Sequence, residues 1–242
     1  MIAEVADRVY RLGSRWVNWY LLEEGGKFTV VDAGLPRQWS QLPAALTALG
    51  RKIDDVDAIV LTHAHPDHLG VAERIRGAAN ASLLGHSAGG PVVRGEAKAR
   101  PPRVARHVWR PFVLGFFATS LRDGIASVPH ASRIEAFEDG ERLDIPGRPR
   151  VIHTPGHSPD SCSFWVEGRE VVFTGDALVT LNALSGRREV SISADPFNAD
   201  TSQAIASLDR LAPLPAATIL PGHGDPWSDG LAEAVRVARG TA

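Results

Sequence analysis

Residues Thr62–Gly70 read Thr-His-Ala-His-Pro-Asp-His-Leu-Gly, so that three of the nine histidines and one carboxylate, His63, His65, Asp67 and His68, fall within six positions. Neutral imidazole and carboxylate are the ligands that borderline divalent metals such as zinc take. In an extended segment side chains repeat every second residue, which puts His63 and His65 on one side. Asp67 and His68 follow where the chain turns into a helix and aim at a second point nearby. One loop could thus supply two adjacent ions. Three further stretches end in a ligand-type side chain after a glycine: Thr154-Pro155-Gly156-His157, Thr174-Gly175-Asp176 and Pro221-Gly222-His223. Small residues there let the backbone approach a bound ion. Five histidines and two aspartates are too many for one tetrahedral zinc and suit two.

Strands must carry these groups. Ala58-Ile59-Val60-Leu61 has the length and β-branching of a buried strand and leads directly into the histidine loop. Ahead of it, Arg8 to Leu12, Trp16 to Leu22 and Phe28 to Val31 read as antiparallel strands separated by Gly13-Ser14 and Gly25-Gly26. Gln38 to Gly50 has the spacing of an amphipathic helix, with Leu42, Ala45, Leu46 and Leu49 on one face. A second helix starts over Leu69 to Ile75, and Ser82 to Leu84 is a short strand. The later chain repeats the style, with strands expected over Arg133 to Phe137, Glu141 to Ile145, Arg150 to His153, Ser161 to Val166, Glu170 to Phe173 and Ala217 to Leu220. Helices are expected over Asp200 to Leu211, capped by Asp200 or Thr201, and over Leu231 to Arg239. Two strand-rich halves with no Pro- or Ser-rich linker predict one domain over 1–242, two sheets face to face with helices outside.

Composition narrows the classes. Hydrophobic residues make 44% and charged residues 22% of the 242, the usage of a globular protein with a sizeable core. A formal charge of −2 excludes a generally basic nucleic-acid binder. A single cysteine, Cys162, excludes an internal disulfide and a cysteine-rich zinc module. The first residues carry acids and no apolar core of a secretory signal, and no run of 18 apolar residues occurs. The expectation is a cytoplasmic protein with a small-molecule substrate and neither nucleic acid nor membrane as partner.

Residues 88–129 have their own character. Arg94, Lys98, Arg100, Arg103, Arg106 and Arg110 face only Glu96, and Pro111-Phe112-Val113-Leu114-Gly115-Phe116-Phe117 follows. Pro101-Pro102 breaks any continuous helix, giving two short helices with a joint. Three readings stand open: a helical pair on the core, a lid whose Phe and Trp109 side chains line an apolar pocket, and a homodimer contact.

In their order, H-x-H-x-D-H, T-P-G-H, T-G-D and P-G-H-G, with Val31-Asp32-Ala33-Gly34 before them, the motifs resemble the metallo-β-lactamase superfamily from about Arg8 to Trp227. The resemblance implies an α+β fold, a four-layer αββα sandwich with metals at one edge of the sheets. It implies that His63, His65 and His157 bind one ion, that Asp67, His68 and His223 bind the other, and that Asp176 bridges them. Asp32 would hydrogen-bond the metal loop and fix a ligand tautomer. The metals would be two Zn²⁺, with iron or manganese as alternatives. A hydroxide held between them would attack an ester, thioester, lactone or β-lactam carbonyl, and Asp67 would also orient the nucleophile. The first β-lactamase subclass uses a cysteine ligand and no bridging aspartate. Cys162, five residues past His157 in a strand, reads instead as core. The Asp176 bridge is similar to the glyoxalase II, lactonase and RNase Z branches. Against those, Tyr10 and Tyr20 are the only tyrosines, about 19 residues follow His223, and no RNA-binding extension is evident. A mononuclear iron sulfur oxygenase on His63, His65 and His157, a phosphodiesterase or nuclease, and a non-catalytic module are the competing classes. His86, His107, His130 and His153 read as structural, His153 being near enough to His157 to support it. Asp160 and Asp195 read as turn residues.

Overall fold

The computed structural model describes residues 2–241, so the end residues of the expected domain, Met1 and Ala242, lie outside the described residues. The chain opens with four antiparallel strands, β1 (Ala3–Ala6), β2 (Val9–Gly13), β3 (Asn18–Glu24) and β4 (Lys27–Val31). Helix α1 (Gln41–Ala48) crosses to β5 (Val56–Val60), parallel to β4. A single turn α2 (Pro66–Leu69) and helix α3 (Ala72–Ala79) lead to β6 (Ser82–His86). The turn α4 (Gly90–Val93) and helix α5 (Pro111–Arg122) then precede β7 (Glu135–Phe137), which closes a seven-stranded sheet in sequential order. The second sheet holds β8 (Arg150–His153), β9 (Cys162–Val166), β10 (Val171–Gly175) and, after α6 (Thr201–Leu211), β11 (Thr218–Pro221), in the order β11-β10-β9-β8. Helix α7 (Leu231–Thr241) ends the described chain.

Period-two alternation sorts the side chains into three apolar layers. Tyr20, Leu22 and Val31 meet Phe164, Phe173 and Leu220 between the sheets, while Trp19, Leu21 and Val30 point the other way onto Leu42, Leu46 and Ile75. On the far side Trp165, Val172 and Ile219 pack against Leu208 and Leu211 of α6 and Val235 of α7. Helix, sheet, sheet and helix therefore form four layers, the expected α+β sandwich. Cys162 lies in the layer between the sheets, 1% exposed, and burial pushes its thiol pKa up. It is a core residue, as expected.

Two elements differ from the sequence reading. The segment Glu141 to Ile145 is no strand and makes only a bridge, Arg142 to Arg150. Its backbone serves turns around Pro146-Gly147: Leu143 N–H donates to Pro149 O at 3.0 Å and Arg148 N–H to Ile145 O at 2.9 Å. The helix expected from Leu69 is split at Gly70, because Gly70 and Val71 donate to Gly34 O and Ala33 O at 2.8 and 3.0 Å rather than up a helix. That diversion ties the histidine loop to the end of β4. No helix among the described residues is long and apolar enough to cross a membrane.

Candidate metal centre

All seven expected ligands converge at one edge of the two sheets. Past β5 the chain bends at Thr62 and is extended at His65, and Pro66 then starts the turn that carries Asp67 and His68. The loop is pinned from the other sheet: Cys162 N–H donates to Thr62 O, and Ala64 N–H donates to Asp160 Oδ2, both at 2.8 Å. Asp160 is therefore more than a turn residue, correcting the sequence reading. Its buried carboxylate sits under the backbone between His63 and His65. His157 follows Gly156, whose φ of 134° only glycine adopts readily and where a Cβ would strike the backbone of Ala204 in α6. Asp176 and His223 stand at the ends of the parallel neighbours β10 and β11.

Four imidazoles have one ring nitrogen fixed by an acceptor, which leaves the other nitrogen's lone pair for the site. Asp32, 3% exposed and in left-handed backbone at φ 58°, accepts from His68 Nδ1 at 2.8 Å through Oδ2. It also accepts from Thr62 N–H and from the Thr62 hydroxyl, both at 2.8 Å. Because that hydroxyl donates to Asp32, its oxygen accepts from His63 Nδ1 at 3.0 Å. One carboxylate thus orients two histidines, directly and through a threonine. His157 Nδ1 lies 3.3 Å from Asn198 Oδ1, and His223 Nδ1 donates to the main-chain oxygen of Trp16. Neither partner was foreseen. A lone asparagine far along the chain carries no signal, and a carbonyl is present at every residue.

The nitrogens so freed face one another. His65 Nδ1 lies 3.0 Å from His63 Nε2 and 2.8 Å from His157 Nε2. Asp176 Oδ2 is 3.4 Å from His157 Nε2 and 3.2 Å from His223 Nε2, while Oδ1 is 3.6 Å from His68 Nε2. Asp67 Oδ2 stands 3.5 Å from His223 Nε2 and 3.9 Å from His68 Nε2. Three overlapping groups have ligand atoms within 4.8 Å of one another and could hold metal ions: His63, His65 and His157; His63, His68 and Asp176; and Asp67, His68 and His223. A tetrahedral ion with bonds of about 2.0–2.1 Å separates its ligand nitrogens by roughly 3.3 Å, near the spacings here. His68 Nε2 and Asp176 Oδ1 are buried with no hydrogen-bond partner, which native structures rarely leave. The donor set fits divalent metal.

Charge within the cluster is uneven. Burial and neighbouring imidazoles hold His63 well below its usual value of 6.5, and burial takes His157 down to about 3. Burial also disfavours charge on His68, but Asp32 and Asp67 outweigh it and raise His68 to about 10. Asp176 does the same for His223, raised to about 9 against burial, and is itself held well below the usual carboxylate range by His223 and His157 despite its burial. Metal-free, the pocket keeps protons on the two histidines beside carboxylates. A cation entering there displaces them.

Over the ligands lies a cavity of about 310 Å³. Its floor includes His65, Asp67, His157, Asp176 and His223, and its walls are Phe116, Phe117, Ile125, Leu181 and Phe197. A strap at 98–102 crosses one side, tied down by Arg103 N–H to Pro196 O and Arg100 Nη1 to Ala199 O, both at 2.7 Å. Beyond the strap is a second lobe of about 220 Å³ that shares His65, His157 and Phe197 with the first and ends at Lys98 and Asp160. Trp109 does not line the cavity as expected: it is 71% exposed, because the turn before α5 points it outward. Phe112 packs on Trp16 with ring centroids 4.7 Å apart. His153 does not touch the ligands; it stacks on His86 at 4.3 Å, and its Nε2 pairs with Pro159 O.

The family model described as the metallo-beta-lactamase superfamily matches residues 14–223. The probable metallo-hydrolase YflN of Bacillus subtilis is 26% identical over 236 residues, covering 93% of this chain and 87% of that protein. Among solved structures, the metallo-beta-lactamase family protein TTHA1429 of Thermus thermophilus superposes with a TM-score of 0.71 at 27% identity, over 98% of this chain and 80% of that one. TTHA1623, solved in a di-iron-bound form, superposes with a TM-score of 0.66 at 28% identity, over 94% and 96% of the two chains.

Proposed function

The chain belongs to the metallo-β-lactamase superfamily, and we propose that it is a two-metal hydrolase that cleaves the carbonyl ester or thioester of an apolar acyl group. The observation that carries the proposal is the union of seven ligand side chains with an apolar cavity directly above them. Two divalent ions, zinc or iron, would supply a water ionised near neutrality and polarise the substrate carbonyl.

The protein's own groups do the rest. His63, His65 and His157 would hold one ion and Asp67, His68 and His223 the other. Asp176 reaches both, its Oδ2 lying between His157 and His223. Asp67, which stands among the ligands and in the cavity lining, would also orient the attacking water by accepting a hydrogen bond from it through the carboxylate oxygen not used on the ion. Phe116, Phe117 and Leu181 take the acyl chain and exclude bulk water from the reacting carbon. The leaving group lies under the strap in the second lobe, toward Lys98. No side-chain acid other than the ligands lines the acyl cavity, which leaves Lys98 of the second lobe as the side chain that would meet the leaving group.

The test is metal analysis and turnover on one sample. About two ions per chain and hydrolysis of p-nitrophenyl acyl esters or acyl thioesters, above lactones, nitrocefin and phosphodiesters, is expected. One iron per chain with oxygen-consuming persulfide oxidation, or phosphodiester turnover above ester turnover, would overturn the reading.

A further inference from the structure

The four large hydrophobic side chains that stand exposed among the described residues all fall between positions 108 and 121: Val108, Trp109, Leu114 and Leu121, at 46%, 71%, 54% and 61%. Leu114, the exposed Ala118 and Leu121 recur at i, i+4 and i+7, the outer face of α5. The opposite face is occupied, since Phe112 and Phe116 pack on Trp16 and Phe116 and Phe117 wall the cavity. The ridge is thus the outside of the element whose inside covers the metal centre.

The segment that carries the ridge is one-sided in charge. Residues 97–122 hold Lys98, Arg100, Arg103, Arg106, Arg110 and Arg122, six of the chain's 26 Lys and Arg, and none of its 28 Asp and Glu. The other residues are left with 20 bases against 28 acids. Of the six, Arg103 and Arg122 meet a carboxylate, Asp195 at 3.5 Å and Asp123 at 3.2 Å. Arg100 and Arg110 donate to backbone oxygens, and among the described residues neither these two nor Lys98 and Arg106 form an ion pair.

We propose that this ridge docks on an anionic phospholipid surface. A second copy of the chain, placed face to face about a two-fold axis, would set one cationic rim against another. A nucleic acid would engage the cations and leave Val108, Leu114 and Leu121 in water. A bilayer interface satisfies both chemistries: leucine and valine enter the acyl boundary, tryptophan sits at headgroup depth, and arginine reaches lipid phosphate along its apolar stem. The sequence expectation of no membrane partner rests on the lack of a spanning segment, which does not bear on a surface that lies on the membrane. The existence of the ridge is independent of the reaction below it.

The test uses the metal-reconstituted full chain with vesicles of phosphatidylcholine alone and of equimolar phosphatidylcholine and phosphatidylglycerol. Sedimentation with the anionic vesicles only, weakened by added salt, is expected, with a blue shift of tryptophan emission that Trp109→Phe removes. Arg106→Glu should weaken partitioning roughly tenfold or more, and Leu114→Glu with Leu121→Glu should abolish it. Both variants should keep their metal content and turnover of a short soluble ester, which separates a lost surface from a lost fold. Equal binding to neutral vesicles, no binding to either, undiminished binding by the double variant, or a solution dimer that the double variant splits would each refute the proposal. So would preference for duplex DNA over anionic vesicles.

Discussion

Replacing Asp32 by asparagine keeps the shape of the side chain, removes the charge that helps keep His68 protonated and reverses one hydrogen bond, and its consequence can be worked through atom by atom. The backbone at φ 58° tolerates asparagine as it does aspartate. The remaining oxygen can still accept from Thr62 N–H. The amide nitrogen, however, now faces His68 Nδ1 and can only donate to it. The imidazole proton must then move to Nε2, the nitrogen aimed at Asp67 and Asp176. A ligand whose lone pair is covered by hydrogen should lose about 10–100-fold in metal affinity, or roughly 1.4–2.7 kcal/mol. The loss belongs to the position shared by Asp67, His68 and His223, while His63, His65 and His157 keep theirs. Asp32→Ala differs in kind. It strands the buried Thr62 N–H, Thr62 hydroxyl and His68 Nδ1–H and puts alanine in left-handed backbone, about 5 kcal/mol or more in sum. That is comparable with a whole domain's stability, so little folded Asp32→Ala protein should accumulate. Competition titration against a chelating zinc indicator, resolving two binding steps, reads the asparagine variant. Two unchanged steps, or an alanine variant that folds and binds like the asparagine one, would refute the tautomer argument.

Further outcomes are open to measurement. The metal-free protein should be most heat-stable near pH 6.5, the unfolded value of its histidines. As the pH rises from there, the unfolded chain gives up protons that folded His223 and His68 keep, so their contribution shrinks and is gone once they lose them at about 9 and about 10. Below that optimum His63 and His157, held under the usual 6.5, take up protons only on unfolding. A melting temperature that rises steadily from pH 6 to 10 in chelator would contradict this. Cys162→Ser should keep both metals and most activity while losing about 1–3 kcal/mol for burying a hydroxyl; loss of one metal per chain would make the cysteine a ligand. Gly222→Ala should keep the fold by circular dichroism yet lose metal, because its methyl would land on Asp176 Oδ1 and 2.7 Å from His68 Cε1. Phe117→Ala should raise KM for long acyl esters more than for short ones with metal content unchanged; equal effects at all lengths would remove Phe117 from the acyl wall.

What could be read from the residues alone follows how each feature is encoded. The loop His63 to His68 was legible because it directly follows an apolar strand, and the ligands after β8, β10 and β11 because each follows an apolar strand and a glycine, all local signals. The layers were legible because alternation in β3, β9 and β10 is strict. Asp160 was passed over since Ser-Pro-Asp-Ser reads as a turn, and only the tertiary fold brings its carboxylate under Ala64 N–H. The supposed strand at Glu141 failed because β-compatible residues next to Pro146-Gly147 spend their hydrogen bonds on turns. Trp109 was misplaced for a different reason: an exposed tryptophan runs against the burial that composition leads one to expect.

The strand end that carries His223 is gripped by residues made some two hundred positions earlier. Asn18 Nδ2 donates to Pro221 O and Gly224 O at 2.8 and 2.7 Å, and the Tyr20 hydroxyl donates to Pro221 O at 2.7 Å. During synthesis these early acceptor-seeking groups emerge long before their partners. The trio His63, His65 and His157 is complete once β8 and its following loop have left the ribosome, whereas the other position waits for β11. With two ions bound as proposed, loading would be vectorial, and the second would act as a latch on a loop of about 155 residues, a closure that chain-entropy arguments value at about 5 kcal/mol. A chain halted before Thr218 should take up one ion and remain open to proteolysis, and the full chain should become resistant only when the second arrives.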